Sequence, residues 1–337
     1  MKFVKRLLKW ILLILIALTA VYLLGPKPPT PTYTNTLPAV PSDAIALETY
    51  IKQNEALHKI KPENEARIVW ANDSAKQKTE YAIVYLHGFS ASQEEGDPVH
   101  TNIAKKFGCN LFLSRLAEHG IDTTEELMNL TAEKYWESVK QAYAVGRELG
   151  NKVIIMGTST GGTNALQLAA NYPEIASLIL LSPNVAIKDP NAWLANNPWG
   201  LQIARMVKGS NYNTTKDQRD IYKKYWNSHY RLEGIVNLEE YLETTMNPVT
   251  FARIKQPVLM LYYYKDEVHQ DSVVQVTAML KMFDELGTLP ELKRKLAMPN
   301  TGDHVLGSYI KSNDYQGVEA EITKFMIDVL KMQMVQQ

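Results

Sequence analysis

Ser159 is the residue whose surroundings in this chain most clearly suggest chemistry. It lies within residues 152–162, KVIIMGTSTGG, just after a short, mostly β-branched apolar run at residues 153–156. Such a run is typical of a strand buried on both faces. The glycines around the serine permit a sharp turn from this strand into a helix, because any side chain there would collide across the bend. The pattern predicts a nucleophilic serine hydroxyl at the carboxyl end of a sheet.

A serine nucleophile needs a base within hydrogen-bond reach at neutral pH. Three histidines follow Ser159 in the chain: His229, His269 and His304. His304 lies in a loop just past the last predicted strand, residues 292–298, and that loop leaves the same sheet edge as the serine. His229 falls within an inserted helical stretch, and we expect His269 to begin a helix. The sequence therefore predicts His304 as the base.

An acid should orient the imidazole of His304 and stabilise the imidazolium that forms during the reaction. The preceding strand is predicted at residues 257–263, and Asp266 lies in the first turn beyond it. We therefore expect Asp266 to be the acid. Its neighbour Glu267 is a weaker candidate, as is Asp271, which we expect to cap the next helix.

Acyl chemistry also needs hydrogen-bond donors for the negative charge that develops on the substrate oxygen. The amide of Thr160, directly after the serine, is one expected donor. The second donor should come from the loop after a strand predicted at residues 81–86, and we assign it to the amide of Phe89. We expect His87, in the same loop, to shape the loop and not to catalyse.

Predicted strands alternate with predicted helices along most of the chain, which is typical of an α/β fold with a mostly parallel sheet covered on both faces. A polar, aromatic and helical stretch at about residues 186–250 interrupts this rhythm, which resumes immediately afterwards. We interpret the stretch as a cap inserted between late strands, in preference to a separate second domain. Its aromatic residues either line a pocket or form a small core of the cap itself.

The N-terminus has the features of a membrane segment. Residues 1–24 combine a basic start with an apolar run that carries no charge. This predicts a membrane anchor or a signal segment, and the lack of a clear cleavage site favours the anchor. The basic flank would place the body outside the cytoplasm, on the periplasmic or extracellular side; cleavage would instead give a secreted protein. The proline- and threonine-rich residues 25–43 predict an extended linker that lifts the body clear of the membrane.

The composition argues against several other classes of function. The chain carries 36 Lys and Arg and 36 Asp and Glu, but its first bases precede every acid, so the body is slightly acidic. Without a basic stripe, nucleic acid is not an expected partner. Cys109 is the only cysteine, so no intrachain disulfide can form. The sequence shows no metal-ligand cluster and no glycine-rich phosphate loop, so we expect neither a metal nor a cofactor.

Several motifs together resemble those of the α/β-hydrolase superfamily. They are YLHGFS at residues 85–90, GTSTGG at residues 157–162, Asp266 and His304. RLAEHG at residues 115–120 is similar to the RLPGHG loop of the monoglyceride lipase and serine aminopeptidase-like branch, although its third and fourth residues differ from that pattern. The resemblance covers most of the chain beyond the linker.

This resemblance implies an α/β-hydrolase domain at residues 44–337 that forms an acyl-enzyme on Ser159. It favours a carboxylic ester, of a small molecule or a lipid, as the substrate. A peptidase or amidase of the same fold is the alternative, because the motifs do not distinguish a leaving amine from a leaving alkoxide. A non-catalytic binding module is less expected, since a serine, an acid and a histidine are all present in register.

Overall fold

The computed structural model of the chain describes residues 2–335. Within that range the strands are β1 (Arg67–Val69), β2 (Thr79–Leu86), β3 (Asn110–Leu113), β4 (Gly150–Thr158), β5 (Ser177–Leu181), β6 (Tyr212–Thr214), β7 (His229–Arg231), β8 (Val258–Tyr262) and β9 (Lys293–Ala297). The α-helices of the same range are α1 (Lys2–Leu23), α2 (Ala44–Glu55), α3 (Val99–Lys106), α4 (Ala132–Leu149), α5 (Thr160–Asn171), α6 (Gly200–Lys208), α7 (Asp220–Tyr225), α8 (Leu232–Thr245), α9 (Pro248–Arg253), α10 (Val276–Glu285) and α11 (Tyr315–Asp328).

In the described part of the chain, seven strands form one sheet in the order β1-β3-β2-β4-β5-β8-β9. Neighbouring strands are parallel throughout, except that β1 runs antiparallel to β3. Parallel neighbours need a crossover connection, which helices provide here. The predicted α/β fold with a mostly parallel sheet is confirmed. Because β2, β4, β5, β8 and β9 are mutually parallel, the loops that follow them leave from one edge of the sheet.

The central strands are buried on both faces, as their unbroken apolar runs predict. Helices α4 and α5 lie on one face, where Trp136 and Tyr143 are enclosed with side chains from β2 and β4. Helices α3 and α11 cover the other face, where Ile103 and Phe325 are fully buried. These two apolar layers hold the strands rigidly, so the loops at the carboxyl edge have a fixed frame.

Residues 182–257 leave the sheet after β5 and return at β8, and we call them the inserted segment. They contain α6 to α9 and an antiparallel hairpin in which Tyr212 of β6 pairs with Arg231 of β7. The sequence pattern predicted helices here but not the hairpin, because strands of three residues leave no periodic signal. The ring of Tyr212 stacks on His229 and lies against the guanidinium of Arg231, so side-chain contacts across the pair stabilise it.

The proline-rich linker packs on the body and does not lift it clear of the N-terminal helix. Residues 26–41 form neither helix nor strand, yet the ring of Tyr33 contacts Trp136 edge-on. The indole nitrogen of Trp136 donates a hydrogen bond of 2.7 Å to the carbonyl of Thr34. The expectation of an extended linker that holds the body clear is therefore corrected, because these residues cover part of the core.

A buried lysine explains why the linker follows this path. Lys140 of α4 is 1% exposed, and its ammonium donates to the Thr34 hydroxyl (2.7 Å) and to the Thr36 carbonyl (2.9 Å). It also pairs with Glu137 one turn earlier, at 2.8 Å. A buried charge is stable only when it has such partners. The linker supplies two of them and thereby completes the core around α4.

Candidate active site

Ser159 occupies the turn between β4 and α5 that the sequence predicts. Its backbone has a φ of 54° and a ψ of −120°, a combination that a residue with a side chain adopts only when its surroundings impose it. The Ser159 amide donates to the carbonyl of Leu181 (2.9 Å), and the Asn184 amide donates to the carbonyl of Ser159 (2.9 Å). These bonds fix the serine at the carboxyl edge of the sheet, where it lines a cavity.

Two glycines beside Ser159 are required by close backbone contacts. A Cβ on Gly161 would lie 1.9 Å from the carbonyl oxygen of Leu86, and one on Gly157 would lie 2.3 Å from the carbonyl oxygen of Gly161. Both distances are far shorter than van der Waals contact, so α5 can begin this close to β2 only with glycine at these positions. The glycines therefore set the position of the serine and of the first amides of α5.

His304 lies in the loop after β9, as predicted, and lines the same cavity as Ser159. Its Nδ1 lies 2.6 Å from Oδ2 of Asp271. Its Nε2 is buried and has no hydrogen-bond partner among the residues that the structure describes. An imidazole held by an acid on one nitrogen, with the other nitrogen left without a partner, is the arrangement that a general base requires.

The pair of Asp271 and His304 is held by mutual attraction in a buried place. Burial by itself lowers the pKa of His304, but the charge of Asp271 and the hydrogen bond to it, together with the charges of Glu95 and Asp303, raise that pKa above its ordinary value. Burial acts to raise the pKa of Asp271, whereas His304 and the amides of Val274 and Val273 lower it below the ordinary value. Asp271 is therefore ionised at neutral pH and stabilises a protonated His304.

The sequence placed the acid at Asp266, and the structure corrects that expectation. Asp266 lies at the exposed tip of a tight loop, where its carboxylate binds Nδ1 of His269 at 2.9 Å. The loop folds back so that the Asp271 amide donates to the carbonyl of Tyr263 (3.1 Å). Asp271 therefore returns to the end of β8, while Asp266 points away from His304. The sequence-based choice of Asp266 was wrong because it assumed that the loop after β8 leaves the sheet and does not fold back.

The structure also places Phe89 and Thr160 at the cavity, beside Ser159. Thr160 is the first residue of α5, and the first amides of a helix have no acceptor within the helix. Among the hydrogen bonds of residues 2–335, none is donated by the amide of Phe89 or of Thr160. Both N–H groups are thus available to an oxygen atom bound in the cavity.

The two histidines near the Phe89 loop, His87 and His119, contact neighbouring backbone and rings. Nε2 of His87 accepts a hydrogen bond from the Leu116 amide (3.0 Å), and its Nδ1 lies 2.9 Å from the carbonyl of Gly88. Burial lowers the pKa of His87 to about 4, so the ring stays neutral. His119 of the RLAEHG loop stacks on Tyr135 and is fully buried. Neither His87 nor His119 forms a hydrogen bond with Ser159.

The cavity has a volume of about 450 Å³ and walls that are mostly apolar. The inserted segment supplies much of one wall, including Tyr222, Trp226, Tyr230, Ile235 and Leu238. Aromatic and aliphatic walls of this kind suit an acyl chain or an aromatic ring. Within residues 2–335 no group of three or more His, Cys, Asp or Glu side chains is arranged to hold a metal ion.

Sequence reasoning missed one residue of the site, Glu95. Its side chain is 2% exposed and lines the cavity together with Ser159 and His304. Oε2 of Glu95 accepts a hydrogen bond of 2.5 Å from the amide of Gly88. The local sequence gave no signal for this, because Glu94 and Glu95 are adjacent acids in a polar loop and only the fold turns one of them inward.

Comparisons with known proteins agree with the fold. Residues 132–288, which include the serine turn, β5, the inserted segment and β8, match the family model described as Serine aminopeptidase, S33. A thermostable monoacylglycerol lipase from Bacillus sp. (strain H-257) is 28% identical over 105 residues, which cover 31% of this chain and 41% of the lipase. The chain spans about two fifths of the length of the curated relatives it matches.

Two solved structures share the architecture. One belongs to the work on LipS and LipT, two metagenome-derived lipolytic enzymes, with a TM-score of 0.63, 18% identity and coverage of 80% of this chain and 99% of that one. The other is a monoacylglycerol lipase from Paleococcus ferrophilus, with a TM-score of 0.55, 14% identity and coverage of 78% and 98%. The sheet and these structural matches show the α/β-hydrolase fold, and the chain is similar to the branch of the serine aminopeptidase S33 and monoacylglycerol lipase-like proteins.

Proposed function

We propose that this protein is a membrane-anchored serine hydrolase that cleaves carboxylic esters through an acyl-enzyme on Ser159. The observation that carries the proposal is the shared cavity of Ser159 and His304, in which His304 binds Asp271 at 2.6 Å and leaves Nε2 free. A hydroxyl, a base and an orienting acid in this order are what nucleophilic acyl transfer needs.

In the first half-reaction, the Ser159 hydroxyl attacks the ester carbonyl and Nε2 of His304 takes the hydroxyl proton. Asp271 stabilises the imidazolium that forms, because its carboxylate already holds Nδ1. The carbonyl oxygen becomes an oxyanion, and the amides of Phe89 and Thr160 donate hydrogen bonds to it. Each such donor contributes about 3 kcal/mol to the stability of the transition state.

The tetrahedral intermediate collapses when the bond to the alcohol oxygen breaks and His304 passes its proton to that oxygen. The acyl group remains on Ser159 as an ester. A water molecule then attacks this ester, and His304 takes a proton from the water and returns it to the Ser159 oxygen. The products are a carboxylic acid and an alcohol, and the serine is restored without any cofactor.

The charges in the cavity favour an ester over the peptide of an aminopeptidase. An aminopeptidase must bind the ammonium group of its substrate, for which a free carboxylate is the natural partner. In residues 2–335 the carboxylates that line the cavity are Glu95 and Asp303. Asp303 pairs with Lys311 at 3.2 Å, and Glu95 holds the Gly88 amide while its charge acts on His304, so neither carboxylate is free for an ammonium group. The apolar walls are then left for the acyl group.

A panel of substrates tests this choice. The full chain in detergent is assayed with chromogenic esters of increasing acyl length and with aminoacyl p-nitroanilides. We expect ester turnover that depends on acyl length and p-nitroanilide turnover that is lower by several orders of magnitude. Preferential cleavage of the anilides would instead identify a peptidase, and no turnover of either class by correctly folded protein would indicate a binding module.

The N-terminal helix supports the membrane part of the proposal. Helix α1 has 22 residues, a mean hydropathy of 2.0 and no buried side chain. At about 1.5 Å per residue it is long enough to cross the hydrocarbon core of a bilayer. At its end, the indole nitrogen of Trp199 donates to the carbonyl of Val21, and the Trp199 amide donates to the carbonyl of Pro26, both at 2.9 Å. The anchor would thus meet the inserted segment directly.

We propose that the inserted segment is a cap over the site and that its apolar surface lies at the membrane. Trp199 precedes α6, where Met206 and Val207 are both 76% exposed. The large exposed side chains of α6 would otherwise face water, which is unfavourable. Cell fractionation followed by sequencing of the mature N-terminus tests the anchor. A membrane-bound protein that begins at its first residues supports it, whereas a soluble product that begins near Val21 means that the segment is a cleaved signal.

A further inference from the structure

Glu95 is a buried carboxyl group in the candidate site that the serine, histidine and aspartate do not use. It lies in a short 3₁₀ helix, Gln93–Gly96, in the connection between β2 and α3. Its Oε2 accepts the amide proton of Gly88, the residue directly before Phe89. A Cβ added to Gly88 would lie 2.8 Å from Oε1 of Glu95 and 3.0 Å from Cβ of Ser159. The carboxyl group and the serine therefore flank the same glycine.

We propose that Glu95 is a positioning residue of the acyl-transfer centre, whose carboxylate fixes the Gly88 amide behind Phe89 and adds to Asp271 a second negative charge for the His304 imidazolium. This inference rests on the proposed function, because it assigns Glu95 a part in the same reaction. The side chain touches neither Nε2 of His304 nor the serine hydroxyl through a hydrogen bond, so it acts through the residues it positions and through its charge.

The first half of the role follows from the geometry of the loop. The amides of Gly88 and Phe89 are consecutive, so fixing the first limits the directions that the second can take. Glu95 holds the Gly88 amide at 2.5 Å, and the Phe89 amide remains free towards the cavity. Preorganised donors stabilise an oxyanion more than donors that must first reorient. A glutamine could make the same bond through its carbonyl oxygen, but an alanine could not.

The second half follows from the charges around His304. Three carboxylates raise the pKa of His304 against the effect of burial: Asp271 most strongly, then Glu95, then Asp303. Asp303 is neutralised in part by Lys311. Glu95 has no Lys or Arg partner among the described residues. Its charge is therefore compensated mainly by His304 itself, and most fully when His304 is protonated during the reaction.

The groups that face Glu95 come from four elements. Tyr85 lies on β2, Tyr135 on α4, and Tyr222 on α7 with Trp226 just after it, while His304 lies in the loop after β9. Among these, only His304 changes its charge near neutral pH. Burial raises the pKa of Glu95 to about 7, and the Gly88 amide and His304 act in the opposite direction. The two groups titrate as a coupled pair, because an ionised Glu95 favours a protonated His304 and a protonated His304 favours an ionised Glu95.

This coupling gives the proposal a kinetic signature. The productive form has a neutral His304, ready to accept the serine proton, and an ionised Glu95, ready to stabilise the imidazolium. Two protons must then leave as pH rises, so a plot of log kcat/KM against pH should approach a slope of two on its acidic side. A centre in which only His304 titrates gives a limiting slope of one.

The test is the pH dependence of the rate at which a fluorophosphonate inactivates the full chain in detergent. We expect a limiting slope of two for the wild type and of one for Glu95→Gln, with the midpoint of the variant at lower pH. On the alkaline plateau, Glu95→Gln should react about tenfold more slowly, the equivalent of one pKa unit of lost stabilisation. Glu95→Ala should be slower again, because it loses the bond to Gly88 as well as the charge.

Glu94→Gln is the matched control. Glu94 is the adjacent acid and accepts from the Tyr309 hydroxyl at 3.2 Å, and it does not line the cavity. This variant should keep the slope of two. The melting temperature of Glu95→Gln shows whether Glu95 acts only in folding. This substitution removes a buried charge, so we expect the melting temperature not to fall.

Several outcomes would overturn the proposal. A Glu95→Gln profile and plateau rate that both superimpose on those of the wild type contradict it. A rate that falls as Glu95 ionises would show that the protonated form is the active one. Labelling that persists in Ser159→Ala would overturn the proposed function itself, which distinguishes that failure from a failure of the role of Glu95 alone.

Discussion

Nδ1 of His304 lies 2.6 Å from the carboxylate of Asp271, whereas Asp266, which is nearer to the end of β8 in sequence, binds His269 at the surface. The difference matters because an acid can fix the tautomer of a catalytic histidine only through direct contact. Asp271 is fully buried and Asp266 is not. The candidate triad is therefore Ser159, Asp271 and His304.

Asp271→Asn should lower kcat for a soluble ester by about a thousandfold or more, because the amide can hold His304 in the wrong tautomer and cannot stabilise the imidazolium. Steady-state kinetics with a p-nitrophenyl ester measure the effect. Asp266→Asn is the matched control and should change kcat by less than about twofold, since its pair with His269 is exposed to solvent. Equal losses in the two variants would contradict the assignment.

The Asp271–His304 pair should also stabilise the fold in a defined window of pH. The pKa of His304 is raised in the folded protein, so its contribution is present at low pH and is lost as pH rises through the folded value. The pKa of Asp271 is lowered, so its contribution is present above the ordinary value for aspartate, about 3.9, and is lost as pH falls through the folded value. Melting temperatures of the wild type and Asp271→Asn should differ most between these two limits. A difference that does not vary with pH would show that the pair is not the cause.

Removal of the linker together with α1 should destabilise the protein, whereas removal of α1 alone should not. A chain that begins at Pro26 keeps the partners of Lys140, but one that begins at Asp43 leaves that ammonium with Glu137 alone and uncovers the core beside it. We expect the shorter chain to lose about 3 kcal/mol of unfolding free energy, the usual effect of breaking a buried charged contact. Denaturant unfolding of the two chains measures this.

Lys140→Met separates the charge from the rest of the linker. In the chain that begins at Asp43, this substitution should recover part of the lost stability, because it removes the ammonium that has lost its acceptors. In the chain that begins at Pro26, Lys140→Met should increase the free energy of unfolding only slightly. If both chains are equally stable without the substitution, the linker does not contribute to the core.

Gly161→Ala should disrupt the serine turn, because the added methyl would lie 1.9 Å from the backbone of Leu86. We expect a loss of at least about 2 kcal/mol in unfolding free energy and slow labelling of Ser159. Gly307→Ala is the control, since its Cβ would meet Leu181 at an ordinary 3.4 Å. A Gly161→Ala protein with wild-type melting and labelling would show that the turn tolerates a side chain.

The sequence predicted the parts of the fold that depend on local patterns. The buried strands at residues 153–156 and 177–181 and the glycine turn at Ser159 were recognisable, because burial on both faces demands unbroken apolar runs and a tight turn demands glycine. His304 was recognisable from its place after the last strand. These features are set by residues close together in the chain.

The parts that escaped prediction depend on contacts that no local sequence pattern signals. Asp271 reaches His304 because the loop after β8 folds back on Tyr263, and no local pattern signals that return. Glu95 is turned inward by a bond to Gly88, seven residues earlier. The proline content of the linker predicted an extended spacer, and it gives no sign of the contacts that Tyr33 makes with the core. In each case a tertiary contact decides between neighbouring residues that look alike in sequence.

The most direct test of the account is the site of covalent labelling by a fluorophosphonate, read by mass spectrometry of peptides from the full chain. We predict a single phosphonyl adduct on Ser159 that requires His304. We also predict no labelling of Ser159→Ala, although that variant should fold with the same melting temperature. An adduct on another residue, or undiminished labelling of Ser159→Ala, would contradict the claim that Ser159 is the nucleophile.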